Sequence, residues 1–257
     1  MTGTGTSAAG TPAAAEFRAR LAGRSPVTGI VLRTPSHHVV EVLAAAPPDD
    51  RFDVVMLDTE HAPFELGILD STLAVARALG VPTLVRVHSL ERHPIQQALD
   101  LGAAGIVVPH VDSVVTARQA VRLAHYGDGG RGFSPSTRSA GWGTRAMADI
   151  LDDAAASTTV VIQIEDPSAV DVIDDIVQVE GVDAVLIGRA DLTVALGARG
   201  GDDERVVAAV ERVAASCRDA ALAFGVVVSH DEADDRRSCL ALGATLILEG
   251  TDQSRLH

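Results

Sequence analysis

The chain has 257 residues, 47% of them hydrophobic and 22% charged, which is ample apolar material for one large domain and unlike a disordered chain or a disulfide mini-protein. Its 35 acidic against 21 basic side chains give a net charge of -14 with no concentrated basic patch, which argues against nucleic-acid and anionic-membrane partners. All 21 basic residues are Arg, and the chain has neither Lys nor Asn, so a Schiff base to a carbonyl substrate, a pyridoxal-phosphate linkage, a P-loop lysine and N-glycosylation are excluded.

Residues 1–15, MTGTGTSAAGTPAAA, lack the positive start and long apolar stretch of a secretory signal and read as a flexible tail, with order from near Phe17 and one domain over 16–257. No apolar run reaches the roughly 18 to 20 residues of a membrane helix. Cys217 and Cys239 fall in helical stretches without metal-ligand spacing and read as buried thiols of a cytoplasmic protein.

Short β-branched runs then alternate with longer helical patterns. Eight runs are predicted as strands: Thr28–Leu32, Val54–Leu57, Thr83–Val87, Gly105–Val108, Thr159–Ile164, Ala184–Ile187, Phe224–Val228 and Thr245–Leu248. Most are apolar throughout, as parallel strands covered on both faces are. Between them, Asp166-Pro167 reads as an N-cap followed by Pro at the first helical position, and Gly80, Gly102 and Gly243 end helical stretches. The pattern predicts an α/β fold, a (β/α)8 TIM barrel with a parallel eight-stranded sheet. A doubly wound open sheet is second choice, since its G-x-G-x-x-G after the first strand is missing.

The strand ends carry Asp58-Thr59-Glu60-His61, Arg86, Pro109-His110, Gln163 with Glu165, Arg189 with Asp191, Ser229-His230 and Glu249. Ordinary solvated strand ends account for Ser229 and His230, but less well for the second and fifth ends. Gln163 and Glu165 are two apart, so a strand aims both the same way. Two carboxylates, a His and an Arg from separate strands point to a divalent metal bound through oxygen. Glu165 and Asp191 are the expected ligands of Mg²⁺ or Mn²⁺, with Co²⁺ a further candidate. Zinc is less favoured, because there is no H-E-x-x-H and no Cys cluster, and His37-His38 reads as a surface or helix-start pair.

The segments LDTEHAPF (57–64), LVRVHS (84–89), ALDLGAAGIVVPHV (98–111), RGFSPSTR (131–138), VIQIEDP (161–167), GVDAVLIGRADL (181–192) and GTDQS (250–254) resemble the HpcH/HpaI aldolase family in order along nearly the whole chain. The resemblance implies divalent-metal-dependent aldol chemistry on pyruvate-like 2-oxo acids with an aldehyde partner. It implies Glu165 and Asp191 as metal ligands, His61 paired with Asp100 as the base, Arg86 polarising the substrate and Gln163 near a metal-bound water. Backbone amides around Ala190 and Asp191 are expected to receive the substrate carboxylate, and a homo-oligomer is expected.

The absence of Lys agrees with this chemistry. An α-proton of a ketone leaves only if the enolate is stabilised by an iminium, which needs Lys, or by a Lewis acid. Three positions depart from the family pattern. Arg189 stands where G-P-x-D-L members carry Pro, and either points outward or reads a second anionic group on the substrate. His110 and Glu249 replace an apolar and a small residue. An oxaloacetate-type decarboxylase or citrate-lyase-like activity at the same site, and a non-catalytic 2-oxo-acid binder, are the alternatives.

Overall fold

The computed structural model describes residues 12–229 and 233–256. In chain order its elements are α1 (Pro12–Ala22), β1 (Val27–Leu32), α2 (His37–Ala44), β2 (Val54–Asp58), α3 (Leu66–Ala78), β3 (Thr83–Arg86), α4 (Arg92–Asp100), β4 (Gly105–Val108), α5 (Val114–Ala124), α6 (Met147–Ser157), β5 (Thr159–Ile164), α7 (Pro167–Asp171), α8 (Ile173–Ile176), β6 (Ala184–Ile187), α9 (Arg189–Ala195), α10 (Glu204–Asp219), β7 (Ala223–Val228), α11 (Ala233–Ala241) and β8 (Leu246–Thr251). The strands form a closed parallel barrel in sequence order, with β8 returning to β1. All eight expected strands are present.

Side chains alternate across the wall. One set, including Val54, Met56, Leu84, Val161, Leu186 and Leu248, packs together inside the barrel. The other, including Ile30, Leu57, Val85, Ile162, Val185 and Val226, packs under the helices. The same parity carries Asp58 with Met56, Arg86 with Leu84, and Gln163 and Glu165 with Val161, so these polar groups inherit the inward direction at the C-terminal mouth.

The opposite end is closed by α1. Phe17 and Leu21 are buried against the first inward residues of several strands, Val27, Val54, Ala184 and Leu246 among them. Two arginines of α1 anchor this plug to acids that precede strands: Arg20 pairs with Asp53 at 2.6 Å and Arg18 with Asp183 at 2.8 Å. Each acid also accepts a neighbouring strand's N–H, Thr28 to Asp53 and Val160 to Asp183, both at 2.8 Å. Burial raises the Asp53 carboxyl, but its bonds from Arg20 and Thr28 outweigh that and hold it below the usual range.

Three details differ from expectation. Helix α1 begins at Pro12, so residues 12–15 are helical and not tail, with Ala14 buried. Strand β8 runs to Thr251, through Gly250 at φ +69° and a register shift against β1. Asp166 does precede the Pro167 helix, but its side chain makes no cap and binds His110 instead, with Oδ2 3.2 Å from Nδ1. Cys217 and Cys239 are free and buried, and burial pushes their thiols up to about 12 and about 11. No described helix is long and apolar enough to cross a membrane.

Candidate active site

The mouth opens into a cavity of about 990 Å³ lined by residues such as Arg33, Asp58, His61, Arg86, Gln163 and Asp191. Asp58, fully buried at the end of β2, organises one wall. It accepts the N–H groups of Glu60 and His61 at 3.2 and 3.1 Å, so the segment after β2 folds back around its own carboxylate. Arg86 forks onto it through Nε at 3.1 Å and Nη2 at 2.8 Å. Burial disfavours the Asp58 charge, but Arg86 and the two amides outweigh it and hold the carboxyl below its ordinary range.

Glu60 lies between cations, with Oε2 3.4 Å from Arg86 Nε and 3.6 Å from His61 Nε2, and Oε1 3.7 Å from His110 Nε2. Burial nonetheless raises its carboxyl, against the pull of Arg86 and His61. The His61 backbone is fixed at both ends, by Asp58 at its N–H and by Arg33 Nη2 at its carbonyl (2.8 Å), while its side chain is 50% exposed at the cavity.

Across the mouth, Glu165 is 2% exposed. Gln163 Nε2 donates to its Oε2, and the His110 N–H donates to its Oε1 at 2.8 Å. His110 adopts φ +53°, uncommon for a residue other than Gly, and this turn aims its amide at Glu165. Its imidazole lies 3.3 Å from Glu165 Oε1. Burial lowers that imidazole's affinity for a proton, yet Glu165, Asp166 and Glu60 together outweigh it and raise the pKa.

Gly188 makes room for this pair. A Cβ there would stand 2.5 Å from Glu165 Oε2 and 3.0 Å from Gln163 Nε2.

The donors fit a hard divalent cation. Among the described residues no guanidinium pairs with Glu165 or Asp191, and Gln163 Oε1 is buried without a hydrogen-bond partner. The orphaned Gln163 carbonyl oxygen, beside a deeply buried carboxylate with no guanidinium partner, is left for a cation or an ordered water to meet. Asp191, in the first turn of α9, reaches the same cavity from an exposed position. The described residues hold one tight trio of donor atoms, His37, His38 and Glu41, all within 4.8 Å of one another. That trio is partly to fully exposed at the start of α2, where the helix dipole opposes a cation, and none of its members lines the cavity.

The structure thus brings together His61, Arg86, Gln163, Glu165, Arg189, Ala190 and Asp191 but not Asp100. Helix α4 descends from the mouth, and Asp100 is its last residue, four positions before Ala104, whose N–H bonds Thr83 O at the start of β3 (2.8 Å). There Arg131 Nη2 pairs with Asp100 at 2.6 Å. One chain therefore does not bring Asp100 to His61. Arg189 forks onto Asp235 at 2.7 Å twice and onto Val227 O at 2.7 Å, so its charge is matched by protein within the cavity wall. This geometry also holds Asp235 below the usual carboxylate range, chiefly through the Arg189 hydrogen bonds. Glu249 pairs with Arg236 (3.4 Å) and Arg255 (3.2 Å) and takes the outward parity of Ile247. His230 lies outside the described residues.

The sequence reading put Asp58 and Glu60 at the second strand end without giving either a role, and left out Arg33. Asp58 was accessible from parity, being two residues beyond Met56. Arg33 had no such signal, because it follows the last strand residue and its direction depends on Asp252, whose carboxylate binds the N–H groups of Arg33 and Thr34 at 2.7 and 3.2 Å.

A closed parallel barrel whose acidic, metal-ready cavity sits at the C-terminal ends of its strands defines an α/β-barrel enzyme. Residues 36–257 match the model of the HpcH/HpaI aldolase/citrate lyase family, and the chain belongs to that family. It is 36% identical over 253 residues to a hydroxypyruvate/pyruvate aldolase of Deinococcus radiodurans, covering 95% of this chain and 87% of that one. It is 32% identical over 243 residues to a 4-hydroxy-2-oxo-heptane-1,7-dioate aldolase of Escherichia coli, covering 93% and 90%. A solved family structure from Burkholderia cenocepacia J2315 superposes with a TM-score of 0.86 at 31% identity, covering 94% of each chain.

Proposed function

We propose that this protein is a class II aldolase that makes and cleaves the bond between C3 of a pyruvate-like 2-oxo acid and the carbonyl carbon of an aldehyde. The observation that carries the reading is the facing of two sets across one mouth, Arg86, Asp58 and His61 on one side and Gln163 and Glu165 on the other, in a chain with no Lys.

Glu165 and Asp191 would hold the metal, Mg²⁺ or Mn²⁺ fitting the oxygen donors best, with the unpartnered Gln163 Oε1 beside Glu165 as a further oxygen. Bound there, a divalent cation supplies a Lewis acid that stabilises negative charge on the keto oxygen of the 2-oxo acid. Arg86 adds a positive charge that Asp58 has already oriented. The start of α9 has no side-chain cap, leaving the N–H groups of Ala190 and Asp191 for the substrate carboxylate, and the Arg189–Asp235 fork holds that start in place. His61 takes the C3 proton and returns it to the alkoxide formed from the aldehyde, so the proton balance closes without another reactant. In cleavage the same imidazole takes the proton of the 4-hydroxyl.

The family resemblance pairs His61 with Asp100, and the fold sets them at opposite ends of one barrel. Both hold only if the pair forms between chains, so we assign the working protein as a homo-oligomer. Product analysis tests the reaction: pyruvate plus aldehydes is expected to give a 4-hydroxy-2-oxo acid, whereas turnover of oxaloacetate alone would make the protein a decarboxylase.

A further inference from the structure

Three guanidiniums line the cavity, and their partners differ. Arg189 is matched by Asp235, and Arg86 forks onto Asp58. Arg33 has no carboxylate of its own. Its Nη2 donates to the His61 carbonyl at 2.8 Å, and its Nε stands 3.4 Å from the Asp58 oxygen that Arg86 already occupies. Nε is buried and makes no hydrogen bond, and among the described residues Nη1 makes none either, so the terminal nitrogens are the ones left for a ligand. Glu60, the other nearby acid, faces Arg86, His61 and His110.

The base of this side chain is rigid. Asp252 binds the N–H groups of Arg33 and Thr34, and the Asp252 N–H bonds Val31 O at 2.9 Å. The side chain itself is 37% exposed. Of the cavity's acids, Asp235 is held by Arg189 and Asp58 by Arg86, so neither of those guanidiniums is as free as Arg33 to meet an anionic group on a substrate.

We infer that Arg33 is a specificity-determining residue whose guanidinium receives a carboxylate at the far end of the electrophile, making carboxylate-bearing aldehydes the preferred acceptors. The inference rests on the aldolase reading and goes beyond it, because that reading gives the Arg33 guanidinium no contact with a substrate. A guanidinium with unpaired N–H groups forks onto a carboxylate where a neutral amide offers only one weaker acceptor.

The test compares kcat/KM for glyoxylate and 5-oxopentanoate, each against its uncharged amide, with pyruvate as donor. The wild type is expected to prefer the carboxylates. Arg33→Met should shrink that preference about 10- to 100-fold, the worth of a lost charged hydrogen bond, and Arg33→Lys should keep part of it. An equal fall for anionic and neutral acceptors makes Arg33 a support for His61 alone and overturns the inference. So does a preference that survives Arg33→Met or is lost in Arg189→Met instead. Exchange of the pyruvate C3 protons in D₂O needs no acceptor: a wild type that exchanges while its acceptor preference is unchanged by Arg33→Met refutes this inference only, whereas one that never exchanges refutes the aldolase reading and this inference with it.

Discussion

Arg86 forks onto Asp58, Nε at 3.1 Å and Nη2 at 2.8 Å, and the carboxylate that it grips is fully buried. Its orientation is therefore set before substrate arrives, which is the condition for a charge to stabilise a transition state without reorganisation. Arg86→Lys cannot reproduce the fork. It should lower kcat about 10²-fold or more, as loss of one preorganised donor does, and Asp58→Asn should give a loss of the same order. Steady-state kinetics of both variants check this, and wild-type turnover in the Arg86→Lys enzyme would show that the fork is dispensable.

Gly188 and Glu165 are in similarly close contact. A methyl at 188 would stand 2.5 Å from Glu165 Oε2, so Gly188→Ala should displace the carboxylate while the strands remain. Mn²⁺ affinity measured by calorimetry is expected to fall about 10- to 100-fold, the usual cost of disturbing a ligand's support. Circular dichroism should stay unchanged.

Glu165→Gln and Asp191→Asn remove charge and keep shape. Both should abolish tight Mn²⁺ binding and turnover and leave the melting temperature of the metal-free protein within a few degrees. Retained stoichiometric binding in both would move the metal elsewhere, with His37, His38 and Glu41 the next place to look.

His61→Ala should reduce turnover by about 10²- to 10⁴-fold, the share general acid–base catalysis commonly supplies. Asp100→Asn should reduce it too. If the two residues meet between subunits, unfolding and refolding the two variants together restores activity that neither has alone, because mixed assemblies contain intact pairs. Activity that stays absent in the mixture would confine Asp100 to its ion pair with Arg131.

Asp53 gives the acid-side prediction. Its folded carboxyl is held below the ordinary value, so its contribution to stability is present above the unfolded pKa of about 4 and is lost as pH falls through the depressed folded value. The stability difference between wild type and Asp53→Asn in urea should therefore be largest near neutrality and shrink below about pH 4. A constant difference from pH 7 to 3 would mean that the Arg20–Asp53 pair does not hold the α1 plug through charge.

How much of this was legible in the sequence depends on the range of the forces involved. The strands were readable because an apolar run between glycine-ended helices fixes a local conformation, and strand parity alone sends Gln163 and Glu165 inward beside Val161. Asp191 and Ala190 were readable from their place after β6. Contacts across the mouth were not, since Arg33 near Asp58, or His110 between Glu60 and Asp166, depends on which loops meet over the closed barrel. Asp166 shows the competition: its local role is to cap α7, and the tertiary contact with His110 takes its side chain instead. Asp100 shows the reverse limit: the resemblance pairs it with His61, whereas within this chain it is held by Arg131.

On our proposal these residues form and stabilise the enolate of a 2-oxo acid with a bound divalent metal. Proton exchange at C3 of pyruvate in D₂O, followed by NMR without any aldehyde, reads that step alone. Rapid exchange is expected with Mg²⁺ or Mn²⁺, with loss of exchange in excess chelator, recovery on metal addition, and no recovery in Glu165→Gln. Exchange at the full rate in chelator, or in Glu165→Gln, would show that the enolate forms without this metal site.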